Sequence, residues 1–219
     1  MEVSKNEKRT SKDYLDKTFL EELNYKIWST KGARFNANKR LINISRLSNL
    51  STSMLSIYLI AVGLLSVYNI YSSNVINENL IAYSITCLSI VLLIFVQIEN
   101  AKQFDLRAKE FHNCGLELSV LYNKLRIFKT LKTNPTKYNR QIFATETSEE
   151  YQRILERYEN HNSIDHQIFK TTNPDYHELE WYYVLMIKIG YYFRTAFIYH
   201  LLIIIPPVII IGLILNNTK

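Results

Sequence analysis

Runs of uncharged, mainly apolar residues divide the chain and predict membrane-spanning helices. Leu47 to Asn77 contains no Asp, Glu, Lys, Arg or His, and Asn79 to Ile98 is a second such run. Thr195 to Thr218 is a third, interrupted only by His200. Since a spanning helix needs about 20 predominantly apolar residues, we predict a transmembrane hairpin followed by a third transmembrane segment.

The third run has features that leave its geometry open. Pro206 and Pro207 lie in its middle, and a proline removes a backbone donor and kinks a helix, although neighbouring helices can satisfy the freed carbonyl groups. Aromatic residues precede the run at Trp181 to Tyr183 and at Tyr191 to Phe193. Such residues are enriched where membrane meets water. We predict a full span, with a re-entrant or surface-lying segment as the alternative.

The polar parts of the chain are also predicted to be helical. Upstream of the first run, apolar residues recur at Leu15, Phe19, Leu23 and Ile27, and steps of four are typical of one helix face. No proline occurs in this region. We therefore expect a helix that continues from about Ala33 without a break into the first span.

Beyond the second run, apolar residues recur in alternating steps of four and three, a heptad pattern typical of a helix that packs along one seam. Because residues 79–132 contain no proline, we predict one continuous helix of about 80 Å at 1.5 Å per residue. The seam is expected either to join copies of the chain or to pack on the chain's own helix at Phe19, Leu23 and Ile27. Its residues are Phe104, Ala108, Phe111, Gly115, Leu118, Tyr122 and Leu125.

Two prolines, Pro135 and Pro174, are predicted to end helices. Between them, Thr147 to Glu150 has the pattern of a capping box that opens a short helix, Tyr151 to Asn160. No stretch alternates polar and apolar residues long enough to predict a strand. The predicted fold is therefore all-α, a helical membrane protein with a transmembrane hairpin and a long cytoplasmic helical stalk. Its segments are 1–46 (cytoplasmic amphipathic helices), 47–98 (transmembrane hairpin), 99–194 (cytoplasmic helical region) and 195–219 (third transmembrane segment).

The formal net charge of +6 is unevenly distributed and predicts the topology. Residues 1–46 hold 11 basic and 6 acidic side chains, whereas the connection from Ser72 to Asn79 contains no Lys or Arg. Basic residues near membrane ends are retained on the cytoplasmic side. We therefore predict a multi-pass protein with its N-terminus in the cytoplasm. The basic stretch 26–46 is expected to touch anionic headgroups rather than nucleic acid.

Catalytic chemistry is weakly represented in the sequence. His161, Asp165 and His166 lie close together, but helical metal pairs prefer i, i+4 spacing, and we interpret these residues as solvated. Five glycines are too few to suggest a phosphate-binding loop. Cys87 and Cys114 cannot form a disulfide framework. We predict no enzyme activity, no metal site and no cofactor.

Small and hydroxyl-bearing residues form stripes on the two predicted hairpin helices. Such residues let spanning helices approach closely, and they can also line a water-filled pore; both interpretations stay open. The runs contain no Asp, Glu, Lys or Arg, which removes the usual mark of a coupled transporter. The stripes consist of Thr52, Ser56, Gly63 and Ser66 on the first span, and of Ala82, Thr86 and Ser89 on the second.

Three strings resemble a known family. Lys31 to Leu41, KGARFNANKRL, looks like the entry signature of SLATT domains, the SMODS and SLOG-associating two-transmembrane effectors. Asp105 to Leu118, DLRAKEFHNCGLEL, followed by Leu121 and Tyr122, resembles the helix that follows the hairpin in this family. Tyr151 to His166 is most similar to the fifth SLATT subfamily, whose genes occur beside reverse transcriptases.

The resemblance implies a bacterial antiphage effector of the abortive-infection type, which forms pores or otherwise breaches the inner membrane when a partner signals infection. Because one hairpin cannot enclose water alone, we expect a pore-forming homo-oligomer. The resemblance implies no catalytic residues. The implied partners are the lipid bilayer, further copies of the chain, and a reverse transcriptase or other defence sensor encoded nearby. The alternative is a membrane-anchored adaptor or sensor that docks a soluble partner and conducts nothing.

Overall fold

The computed structural model describes residues 18–71, 78–131 and 135–217, and all regular secondary structure in these ranges is helical. This confirms the all-α membrane fold predicted from the sequence. Residues 72–77, which include most of the predicted outer loop, and Leu15 of the N-terminal pattern lie outside the described residues. The helices are α1 (Phe19–Tyr71), α2 (Glu78–Ala101), α3 (Phe104–Leu131), α4 (Lys137–Arg157), α5 (Ser163–Thr171), α6 (Trp181–Thr195) and α7 (Phe197–Asn217).

α1 continues from the polar N-terminal region into the first uncharged run without a break, as predicted. Glu21 and Glu22 lie in its first turn, where carboxylates interact favourably with the positive end of the helix dipole. Gly32 does not interrupt the helix. A Cβ at this position would lie 2.1 Å from Cδ2 of Phe169, so the glycine provides room for the ring of a neighbouring helix.

α2 and α3 are two helices rather than the single long helix predicted for residues 79–132. After α2, the backbone N–H groups of Lys102 and Gln103 each donate to a carbonyl three residues back at 3.2 Å. Gln103 has a φ of 47°, the left-handed conformation that ends many helices and usually belongs to glycine or asparagine. The sequence has neither glycine nor proline at this break, so its pattern does not reveal it.

α4 begins well before the predicted capping box. Thr136 is its N-cap, because its hydroxyl oxygen accepts the backbone N–H of Asn139 at 3.2 Å. Thr147 lies inside α4, fully buried, with no partner for its hydroxyl among the described residues. The prediction that Thr147 to Glu150 opens a helix was therefore wrong. The residue spacing of a capping box also fits a helix interior, and α4 then ends at Arg157.

α5 is a short helix with a complete capping box. The Asn162 side chain accepts the backbone N–H of Ile164 at 3.2 Å, and the Asp165 carboxylate accepts the backbone N–H of Asn162 at 3.0 Å. The helix ends at Thr171, and α6 begins only after Pro174, which agrees with the predicted break.

The chain divides into two compact units. Among the described residues, the first unit comprises those up to Leu41 together with those of Leu106–Tyr191, and the second comprises those of Ile42–Asp105 together with those from Tyr192 onward. The core of the first unit joins α1, α3 and α4. Its buried residues are Leu23, Ile27, Cys114, Leu118, Leu121, Leu125 and Ile154.

The heptad seam of α3 packs inside the same chain. Leu118 and Leu125 share the core with Leu23 and Ile27 of α1, which is the second of the two arrangements expected from the sequence. Phe19, expected in the same contact, is exposed. Copies of the chain could meet through the buried seam residues only if this core opened. Those residues are Ala108, Phe111, Gly115, Leu118 and Leu125, whereas Phe104 and Tyr122 are partly exposed.

The second unit contains the apolar helices. Within the described residues, Phe19–Leu64 and Ala82–Leu131 contain stretches long and apolar enough to cross a membrane. The pair Trp181–Thr195 and Phe197–Ile209, bent by 61°, makes a third if it acts as one span. Large apolar side chains on α1 and α2 are exposed, as expected of surfaces that face lipid. They include Ile57, Ile60, Leu64, Val91, Leu93 and Ile94.

Candidate functional site

Three hydroxyl groups of the predicted stripes bond to carbonyl groups of their own helices. Ser56 donates to the Thr52 carbonyl at 2.9 Å and Thr86 to the Ala82 carbonyl at 2.9 Å. Ser89 donates to the carbonyl four residues back at 2.7 Å. This bonding satisfies each hydroxyl proton inside the helix and leaves the oxygen able to accept a hydrogen bond from water. The stripes therefore fit both helix packing and pore lining.

Gly63, on the same stripe of α1, makes no close contact with the described part of the chain. Nothing lies within 4 Å of a Cβ built at this position. A spanning glycine usually marks close approach of another helix, so any such approach to Gly63 comes from outside the described part of this chain. The side chain of Ser66, the remaining stripe residue, lies outside the described side chains.

Tyr58 of α1 compensates for a proline in α7. Pro206 and Pro207 lie inside α7, and Pro207 has no N–H to donate to the carbonyl of Ile203, four residues back. The Tyr58 hydroxyl donates to that carbonyl at 2.8 Å. This is how a neighbouring spanning helix makes a proline tolerable, and it attaches α7 to the first hairpin helix.

Replacing Tyr58 with Phe is expected to loosen α7 from α1. The Ile203 carbonyl would lose its donor and cannot regain one from its own helix. We therefore expect the free energy of unfolding to fall by about 1–2 kcal/mol, near the upper end of the values for hydrogen bonds between transmembrane helices. The measurement is the unfolding midpoint of the full chain in mixed detergent micelles. Tyr83→Phe is the matched control, since Tyr83 on α2 is 69% exposed. Equal shifts in the two variants would contradict the role of Tyr58.

A second polar contact joins α2 and α7. Glu99 is buried, and its carboxylate accepts the Tyr199 hydroxyl at 2.7 Å and the Lys102 ammonium at 2.5 Å. Ser48 of α1 lies close enough to this carboxylate to interact with it. All three apolar helices therefore meet at one carboxylate. Glu99 is not evident from the sequence because it lies one residue past the uncharged run, and Tyr58 is not evident although Pro207 signals the need for a donor.

The basic string before the first span is built into the first unit. Arg34 is fully buried; its guanidinium donates to the Glu159 carbonyl and, at 3.3 Å, to the Asn160 side chain. It also lies 5.5 Å from the centroid of the Phe111 ring. The expectation that this stretch touches headgroups is therefore wrong for Arg34.

Arg40 is also committed to the first unit, through an ion pair with Asp165. Its Nε donates to one carboxylate oxygen at 2.7 Å and its Nη2 to the other at 3.0 Å. Asp165 is completely buried, and its backbone carbonyl accepts the Asn36 side chain at 3.2 Å. The interpretation of Asp165 as a solvated residue was wrong. It is an internal anchor between α1 and α5.

The histidines of this region are packed as neutral rings. Burial, together with the nearby Arg34 guanidinium, lowers the pKa of His161 to about 4. Burial and Lys170 lower the pKa of His177 to about 4. The His177 ring is stacked nearly parallel to that of Trp28, with the two ring centroids 6.4 Å apart. His161 and His166 are only partly exposed, which corrects their interpretation as solvated residues, and His177 is buried. The described residues contain no group of three or more His, Cys, Asp or Glu suited to a metal.

The apolar helices expose large apolar side chains, as expected of surfaces that face lipid, and polar contacts at Tyr58 and Glu99 join them. These features define a helical integral membrane protein. The chain matches the family model of the SMODS and SLOG-associating 2TM effector domain family 5 over residues 16–213, and it belongs to that family. No curated protein and no solved structure matches it.

Proposed function

We propose that this chain is a pore-forming, membrane-perturbing effector of a bacterial antiphage defence system. Membership of a family of 2TM effector domains carries the proposal. The chain would act as a homo-oligomer on the inner membrane, with a reverse transcriptase or another sensor encoded nearby as its partner. The proposal assigns it no enzyme activity and no cofactor.

The composition of the first unit supports the proposed topology. This unit combines the chain up to Leu41 with Leu106–Tyr191, so residues from before and after the hairpin pack together. Both ends of the hairpin must then lie on the same side of the membrane. The basic residues before the first span favour the cytoplasm for that side, where a soluble defence partner would reach the first unit.

The mechanism requires several copies. One hairpin cannot enclose water, whereas a ring of hairpins can place one helix face from each copy around an axis. The stripe of Thr52, Ser56 and Gly63 suits that position because it is small and its hydroxyl oxygens accept hydrogen bonds. Exposed Ile57 and Ile60 then face lipid, which is their favourable environment.

The test is leakage from liposomes that contain the purified full chain. Ser56→Leu is expected to reduce leakage by about tenfold or more, because a ring of apolar side chains dewets a narrow constriction. Ser53→Leu is the matched control. Ser53 is exposed and also donates to the carbonyl four residues back, at 2.9 Å, but it lies on a neighbouring face of the helix.

Oligomer size, measured on the same samples, separates the explanations. Leakage lost with size retained in Ser56→Leu supports a pore lined by the stripe. Loss of both indicates helix packing, because an added leucine overfills a close contact at about 1–3 kcal/mol. A Cβ at Gly63 meets nothing within the described part of the chain, so a loss of oligomer size in Gly63→Leu indicates a contact between copies at this position. Absence of leakage and of growth arrest for the unaltered chain would overturn the proposal in favour of a non-conducting adaptor.

A further inference from the structure

α6 has one narrow face that packs against protein. Val184, Ile187 and Tyr191 are partly buried, and Thr195 is buried. They follow one another in steps of three, four and four, so they form a single stripe along the helix. The rest of the helix surface is exposed apart from Gly190, and nothing lies within 4 Å of a Cβ built at that glycine.

The opposite face of α6 is apolar and exposed. Tyr182, Met186, Ile189 and Phe193 follow one another in steps of four, three and four, with exposed fractions of 43%, 64%, 47% and 55%. Leu185 extends this face and is also exposed. An exposed apolar patch of this kind marks an interaction surface with protein or membrane.

The charges of α6 lie away from this apolar face. At 100° per residue, Lys188 and Arg194 project about 120° from its centre, one on each side of the packed stripe. The two cations can therefore reach anionic headgroups while their helix lies on apolar chains, as basic side chains at membrane surfaces do. Trp181 and Tyr182 are of the type enriched at the headgroup level.

α6 is also continuous with an apolar helix that is long enough to span by itself. α7 has 21 residues, about 32 Å at 1.5 Å per residue, and a hydrocarbon core measures about 30 Å. The 15 residues of α6 would therefore exceed the bilayer if they continued in line. They do not, because the two helices are bent by 61° at Ala196.

We propose that α6 lies in the headgroup layer of the bilayer, near the membrane plane. Tyr182, Met186, Ile189 and Phe193 face the acyl chains, and α7 continues into the hydrocarbon core. With a bend of 61°, an α7 tilt of about 20–30°, within the usual range, brings α6 parallel to the membrane. This placement of α6 and α7 holds whether or not the assembly conducts.

The experiment measures the depth of one tryptophan on the apolar face. Trp28 and Trp181 are the chain's two tryptophans, and both are replaced by Phe. Tyr182→Trp or Phe193→Trp is then added to the full chain in vesicles of phosphatidylcholine and phosphatidylglycerol. Fluorescence quenching is compared between lipids brominated near the headgroup and lipids brominated near the chain end.

The two positions share one face but lie eleven residues apart, about 16 Å along the helix axis. A helix in the plane gives both tryptophans the same preference for the shallow quencher. If α6 spans instead, one position prefers the shallow quencher and the other the deep one, which overturns the proposal. Lack of quenching at both positions also overturns it, since the face would then meet water or protein. Gln152→Trp, at an exposed position on α4, is the control and should not be quenched.

Discussion

Replacing both Phe111 and Leu118 with Glu is expected to unfold the first unit and to deplete the protein from the membrane fraction. These side chains are 2% and 0% exposed, so each substitution places a carboxylate in the core without a partner. An uncompensated buried charge costs several kcal/mol, and two such sites approach the whole stability of an ordinary domain, about 5–15 kcal/mol. The measurement is protein level in membranes together with protease resistance.

The matched control introduces the same charges on the other face of α3. Leu116 and Val120 are 49% and 68% exposed, so Leu116→Glu with Val120→Glu should leave the fold intact. A Phe111 and Leu118 double variant that stays folded but becomes monomeric would contradict the core assignment. The buried seam would then join copies, as the heptad pattern also allowed.

The sequence predicts helices well where periodicity and composition agree. α1 is unbroken because it lacks proline and because the ring of Phe169 occupies the space beside Gly32. The uncharged runs identify the apolar helices because lipid exposure leaves no place for charge. The heptad steps of α3 identify its packing face, but periodicity alone does not say whether the partner helix belongs to the same chain.

The sequence does not predict features that depend on contacts between residues distant in the chain. The break at Gln103 has no glycine or proline to mark it. The capping pattern at Thr147 is matched by residue type but lies inside a helix, whereas Thr136 at the real start is followed by no Glu or Gln three residues later. Local pattern cannot show that α4 continues, because burial of Thr147 depends on contacts distant in sequence.

The chemistry of Arg34 and Asp165 was misassigned for a related reason. Charged residues are almost never fully buried unless paired, so a solvated interpretation is the default for a single sequence. Here Asp165 forms an ion pair with Arg40, which lies 125 positions away in the sequence. Such a pair leaves no periodic signal, and only the spatial proximity of α1 and α5 reveals it.

Replacing Asp165 with Ala is expected to destabilise the first unit by about 3–5 kcal/mol, because it leaves the Arg40 guanidinium unpaired in a largely buried position. The side chains of Arg40 and Asp165 are 12% and 0% exposed. The same change removes half of the capping box of α5. The measurement is chemical unfolding of the full chain followed by fluorescence of Trp28, which lies 4.7 Å from the Phe169 ring of α5, in a Trp181→Phe background.

An exposed ion pair of the same unit provides the control. Lys124 and Glu150 are separated by 2.7 Å, with side chains 46% and 38% exposed, and Glu150→Ala should cost only about 0–1 kcal/mol. The combination of Arg40→Met and Asp165→Leu then distinguishes two roles. If it recovers most of the stability lost in Asp165→Ala, the unpaired charge caused the loss, since apolar replacement of buried pairs is often neutral. If it recovers nothing, the loss comes from the α5 cap, and the ion pair itself contributes little to the attachment of α5 to α1.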